Sequence, residues 1–389
     1  MKFSIPLLAI SAVLIFSSNS QAQTVIRITG AQAFGDAVHR GILHVLQANG
    51  PFTYAYTGTD INKAQQTIWT GSVSGSPVIF KTSYNGSTAG IRVVTRSSTV
   101  NWLPNSTPQS AGGTTNASTA TPESASADAA AVDTFQSSTV YTSPTLIDRR
   151  VGAGAYVFVA GKGAPANLTN ITALQAQALY GTGQQPLAFF TGSEADRTTL
   201  LPQTNQPAQV FATGRDYESG ARLVALIETG IGGQTNIAQY KPVISGNFVT
   251  SHALYPAVTI NGIYFPEGSD GNPSNGNIAT GVLTKDTVTN LGGWYVSYLP
   301  TLDAFNAVAG GAARILSYNG VPYSPAAVAE GSYTLWAYEH LLWKNGLTAV
   351  QNNGLNALAN QILNVDATVL IGDLKVSRPL DGGVITTDY

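Results

Sequence analysis

Hydrophobic residues along the chain alternate between a period of two and a period near 3.6. Val25-Ile26-Arg27-Ile28-Thr29 alternates and is rich in β-branched side chains, so it predicts a strand that Gly30 ends. From Phe34 to Ala48 the spacing lengthens. Phe34, Val38, Ile42, Val45 and Leu46 fall on one helical face. The pattern recurs downstream. Val78 to Tyr84 reads as a strand, followed by the polar loop Asn85 to Gly90 and the apolar run Ile91-Arg92-Val93-Val94. Val151 to Ala160 is a further strand. Thr172 to Tyr180 is a helix with a capping box, Thr172 and Gln175, and a buried side of Ile171, Leu174 and Leu179. Gln209 to Ala212 is a short strand, and a helix over Ala221 to Glu228 turns Leu223, Val224 and Ile227 inward. Trp294 to Tyr298 is a strand. An aromatic-rich helix is predicted near Tyr333 to Leu342 and another near Leu355 to Leu363. Strands alternating with helices predict α/β layers. Two stretches break the pattern. Pro104 to Ala131 is dominated by Ser, Thr, Ala, Gly, Asn and Pro and reads as a mobile loop or insertion, and Gly268 to Gly276 reads as a Gly/Asn/Pro loop.

Composition narrows the function classes. Of 389 residues 43% are hydrophobic, so the chain is not of the disordered type, and the length suits about two domains. Only 10% are charged, against roughly 25% in an ordinary domain. A net charge of −2 with no basic stripe argues against a nucleic-acid partner. The absence of cysteine excludes a disulfide scaffold, thiolate metal ligands and a thiol nucleophile. Met1 to Ala22 reads as a signal peptide: Lys2, an apolar run from Ile5 to Phe16, and small residues Ser20 and Ala22 before the cleavage point. The expected location is therefore the periplasm or the exterior. His39, His44, His252 and His340 show no metal-binding spacing, and no nucleophile elbow or phosphate-loop motif occurs, so no metal, cofactor or catalysis is expected. Asp270-Gly271-Asn272 lacks the terminal Glu of a calcium loop and reads as a turn.

Three loops carry the candidate chemistry: Gly30-Ala31-Gln32-Ala33-Phe34, Gly86-Ser87-Thr88-Ala89-Gly90 and Arg215-Asp216-Tyr217-Glu218-Ser219-Gly220. Each joins a strand to a helix. A helix N-terminus presents free N–H groups and the positive end of the dipole, and glycine permits close approach of a ligand. Together these form an anion site that needs few charged side chains. Ser87, Thr88 and Ser219 add hydroxyl donors, and Arg215 adds a two-pronged guanidinium. Ordinary helix capping explains any one loop alone.

The wording and order of the loops resemble the phosphate-binding proteins of bacterial ABC transporters, within the type II periplasmic binding protein superfamily. Ile28 to Phe34 resembles that family's TGAGATF segment, Tyr84 to Ile91 its YxGxGSSGG segment, and Ile171 to Gly181 its LTxxxLxxIYxG helix. Arg215 to Gly220 resembles RxDGSGT, Gly292 to Tyr298 the GAIGYV-Y strand, and Gly331 to Trp336 a later segment. The resemblance implies an α/β fold of two lobes, with a hinge and an inter-domain cleft. Residues 23–145 and 300–389 would form the first lobe, including the insertion at about 104–131, and 146–299 the second. It further implies a monomeric solute-binding protein that takes phosphate or a related oxyanion and delivers it to an ABC permease in the inner membrane. The implied ligand-binding residues are Ala33, Phe34 (through its backbone N–H), Ser87 or Thr88, Arg215, Ser219 and Gly220. Asp133 is the candidate acceptor of the proton of a hydrogen phosphate, or else a turn or capping residue. The departures are Ala33 for the family threonine, Tyr217 and Glu218 for its Asp-Gly, and Ala221 for its final threonine. They leave open another ligand, or a surface or matrix protein that kept the fold without transport. A phosphate-ester hydrolase is disfavoured by the lack of a metal cluster or activated nucleophile.

Overall fold

A computed structural model describes residues 23–118, 121–198, 200, 207–245, 248–285 and 293–387; the leader expected at Met1 to Ala22 and the position Gly292 lie outside them. The alternating segment at the start forms β1 (Thr24–Gly30). It is the axis of the first lobe. On one side it pairs in parallel with β4 (Ser76–Tyr84), which is flanked by β3 (Gln66–Val73) and the edge strand β2 (Thr53–Tyr56). On its other side lies β5 (Ala129–Val132), also parallel. Helix α1 (Gly35–Asn49) buries Val38, Ile42, Val45 and Leu46 against this sheet, together with α6 (Ala349–Gln361). Helix α2 (Ser87–Arg96) covers the opposite face with Ile91, Val93 and Val94.

The second lobe is built around β6 (Ile147–Gly161), β7 (Gln184–Pro186), β8 (Gln209–Ala212), β9 (Gly293–Pro300) and β10 (Ala313–Ile315). β8 and β9 are parallel. Helices α3 (Ala173–Thr182) and α4 (Gly220–Glu228) pack on them. The expected capping box forms, Thr172 accepting from the Gln175 amide and Gln175 from the Thr172 amide. Of the side expected to be buried, Ile171 and Leu179 are fully inside, but Leu174 is 74% exposed. The fold is thus α/β, with two lobes and a cleft. β6 and β11 (Trp336–Trp343) run through both. The first half of β6 pairs with β11 in the first lobe, and its second half pairs with β9 and β10 in the second.

Three expectations are corrected. The segment near Tyr333 to Leu342 is the central strand β11, not a helix. All eight of its residues are buried, and a strand buried on both faces has a continuous apolar run without alternation. Residues 104–131 are not a detached insertion. β5 lies at their end, and its small side chains hid it, because alanine carries little strand signal. Within the same stretch Glu123 accepts from Arg27 Nε at 3.1 Å and pairs with buried Lys81, and Ser110 and Thr114 bond the backbone of the edge strand at Tyr54 and Tyr56. The polar loop therefore covers an edge. Finally, residues 300 to 335 pack in the second lobe. Ala304 and Ala307 of α5 (Thr301–Ala309), with Leu316, Tyr318 and Val328, belong to its core, because the chain leaving β9 must supply β10 to β6 before it returns.

Candidate functional site

The carboxyl ends of β1, β4 and β5 in one lobe and of β8 and β9 in the other open on the same space. In open α/β sheets this is where ligands sit. A cavity of about 370 Å³ lies there. Ala31, Gln32 and Ala33 follow β1 into its wall, Asn85, Gly86 and Ser87 follow β4, and Asp133 follows β5. From the second lobe come Arg215, Asp216, Ser219, Gly220 and Ala221, with Pro300 at the end of β9. The three loops singled out in the sequence therefore meet. Helix α2 begins at Ser87, and α4 begins at Gly220 with Ser219 as its N-cap.

The predicted residues divide accordingly. Ala33, Ser87, Asp133, Arg215, Ser219 and Gly220 line this cavity. Phe34 does not. Its amide donates to the Ala31 carbonyl at 3.2 Å within a tight turn, and the residue lines a neighbouring cavity. Thr88 lines neither cavity; it is buried on the first turn of α2. Of the departures from the family pattern, Ala33 and Ala221 line the cavity and bring no hydroxyl to it. Tyr217 and Glu218 turn away. The Tyr217 ring packs on Phe265 and its hydroxyl donates to Gln234 at 2.5 Å. Glu218 accepts from Arg92 of the other lobe, at 2.9 Å from Nε and 3.2 Å from Nη2.

The charges in the site are largely held by neighbours. Arg215 is 8% exposed. It donates from Nε to the Asn272 carbonyl at 3.0 Å, from Nη1 to Asn275 at 3.2 Å and from Nη2 to Asp216 at 3.4 Å. Burial pushes the Asp216 carboxyl up to about 6, against the pull of Arg215. Asp133 accepts from the Ser87 hydroxyl and, at 2.5 Å, from the Tyr156 hydroxyl. Burial raises it, opposed by these two hydrogen bonds and by the Arg215 charge. Gly220 is forced by this crowding, since a Cβ there would lie 1.7 Å from Asp133 Oδ1. Gly86, at φ +108°, is forced by the lobe contact, since a Cβ would lie 2.3 Å from the Glu218 carbonyl oxygen. Arg222, on the first turn of α4, is buried behind the loop, and burial holds its guanidinium below the usual range. Tyr156 and Asn275 were missed in the sequence. Each reaches the site through tertiary packing or a loop with no motif of its own. Among the described residues no group of three His, Asp or Glu could hold a metal ion, and no helix is long and apolar enough to cross a membrane.

No protein-family model matches the chain, and no curated protein matches it. Solved structures do. A phosphate ABC transporter substrate-binding protein from Clostridium perfringens with bound phosphate is 13% identical, covering 90% of this chain and 100% of its own, with a TM-score of 0.47. An ABC-type phosphate transport receptor from Vibrio cholerae is 14% identical, with 86% and 93% covered and a TM-score of 0.44. The effector-binding domain of QuiR, in complex with shikimate, is 11% identical, with 87% and 96% covered and a TM-score of 0.39. In fold, the chain is similar to substrate-binding proteins of phosphate transporters and to an effector-binding domain, and its two α/β lobes enclose a cleft at the carboxyl ends of parallel strands in both.

Proposed function

We propose that the chain is an exported, monomeric solute-binding protein that captures an oxyanion, phosphate in the first place, between its lobes and passes it to an ABC permease. The observation that carries this reading is the meeting of two helix N-termini, the Ser219 hydroxyl and the guanidinium of Arg215 on one inter-lobe cavity, with the Ser87 hydroxyl beside them donating to Asp133. Donors of this kind bind a tetrahedral anion without a large excess of positive side chains. Asp133 supplies selection: an ionised carboxylate repels fully ionised sulfate and accepts a hydrogen bond from a protonated oxyanion. No group in the cavity needs to do catalysis.

Thermal unfolding with phosphate, arsenate, sulfate and molybdate tests the reading. Stabilisation follows RT ln(1 + [L]/Kd). Phosphate should raise the melting temperature at millimolar levels, and Arg215→Ala should abolish the shift. No shift with any oxyanion rejects the transport reading; a shift that survives Arg215→Ala places the site elsewhere. A second reading, the fold retained without transport, is favoured by one observation: Arg215 and Asp133 are already satisfied by protein partners. The same titration separates the two.

A further inference from the structure

The anion cavity does not end at Asp133. A second cavity of about 360 Å³ adjoins it, and the two share Ala33, Asp133 and Pro300. An orthophosphate ion fills only a fraction of this combined space. The two cavities carry the same balance of charged groups, and the first sets Asp133, Asp216 and Asp303 against the single cation Arg215. In the second, Asp36, Asp133 and Glu339 bring three carboxyl groups to the wall, against the single cation Arg40. Arg40 is already engaged: it pairs with Asp36, lies 3.7 Å from Asp366 Oδ1, and donates to the Asp366 carbonyl at 2.7 Å.

Glu339 is the decisive group. It stands in the middle of β11, 3% exposed. Its Oε1 accepts from the Thr368 hydroxyl at 3.3 Å, while Oε2 has no hydrogen-bond partner. The neighbouring strand β6 is cut back around it. A Cβ on Gly152 would lie 2.5 Å from Oε2, and one on Gly154 would lie 3.3 Å from Oε1. A buried carboxyl with an unpaired oxygen is costly unless something compensates it. Phe34, Tyr156, Phe305 and Tyr323 line the same cavity. Carboxylates and aromatic rings together are the surroundings an organic ammonium group favours.

We propose that the ligand is a phosphate monoester or phosphonate carrying an ammonium group on a short arm, with the phosphoryl group in the Arg215 cavity and the ammonium in the Glu339 cavity. This rests on the oxyanion reading above and narrows it to a substrate class. Burial, with the Asp133 charge adding to it, pushes the Glu339 carboxyl up to about 8. In the free protein near neutral pH it therefore keeps its proton. Arrival of the ammonium releases that proton to solvent and leaves an ion pair.

The experiment compares inorganic phosphate, ethyl phosphate and phosphoethanolamine on the full chain by calorimetry. Ethyl phosphate matches phosphoethanolamine in its arm but lacks the ammonium. Phosphoethanolamine should bind about tenfold or more tightly than ethyl phosphate, the size expected of one charge-assisted contact. Glu339→Gln should lower that ratio towards one. If phosphate binds and the two esters bind equally, the ammonium proposal fails and the oxyanion reading stands. If no phosphate compound binds, both fail. A ratio unchanged by Glu339→Gln also overturns the proposal. Should that variant not fold, the ester ratio on the unaltered chain decides the matter by itself.

Discussion

At the scale of single residues, the site depends on groups packed without spare room. Gly220 is the sharpest case. The Asp133 carboxylate occupies the space its side chain would need. Gly220→Ala should displace Asp133, abolish the phosphate-induced thermal shift, and cost about 1–3 kcal/mol of stability, as overpacking typically does; denaturant midpoints with and without phosphate measure both effects. Glu339 gives a pH dependence. Its folded pKa, about 8, lies above the ordinary carboxylate value of 4.5. Between these values the folded state holds a proton that the unfolded state has lost, so stability falls as pH rises through this window. Glu339→Gln should therefore match the parent near pH 5 and exceed it in melting temperature above pH 8. Equal pH profiles for the two proteins would show that Glu339 is ionised at neutrality.

At the scale of elements, β5 is the strand the sequence concealed. Its residues Ala129, Ala130, Ala131 and Val132 are fully buried, and α2 lies over it closely enough that a Cβ on Gly90 would sit 3.4 Å from that of Ala130. Small side chains are required there for the helix to approach. Ala130→Leu should push α2 off the sheet and cost about 1–3 kcal/mol, read as a lowered denaturation midpoint with an unchanged slope. It should also weaken phosphate binding, because α2 carries Ser87 to the cavity. β11 is the complementary case. Trp336 to Trp343 is apolar enough for a helix or a buried strand, and pairing with β5 and β6 decides between them.

At the scale of the whole molecule, the lobes are held in contact across the cleft. Arg92 and Glu218 form a partly exposed ion pair between them, and the Ala89 amide approaches the Glu218 carbonyl at 3.4 Å. An exposed pair of this kind contributes about 1 kcal/mol or less. That is enough to shift an open–closed balance severalfold. Arg92→Ala should increase the radius of gyration in small-angle scattering without ligand, and phosphate should restore the compact form. A radius unaffected by the substitution would mean that other contacts hold the cleft.

The α/β class, the helix-start loops and the residues Ser87, Arg215, Ser219 and Gly220 were legible in the chain because each is a local pattern: periodicity, glycine placement, a hydroxyl or guanidinium beside a helix start. Phe34 and Thr88 carried the same local signals, yet neither lines the cavity. Tyr156 and Glu339 had no signal at all, because both come from long strands whose neighbours are far away in sequence. The sequence by itself determined which segments are amphipathic and which turns present free N–H groups, since these depend on residues a few positions apart. Only the tertiary structure decided that three such turns face one cavity, that Ala129 to Val132 is a core strand, and that a second cavity lined by Glu339 adjoins the first at Asp133. Those outcomes depend on contacts between residues tens to hundreds of positions apart, and no local pattern encodes them.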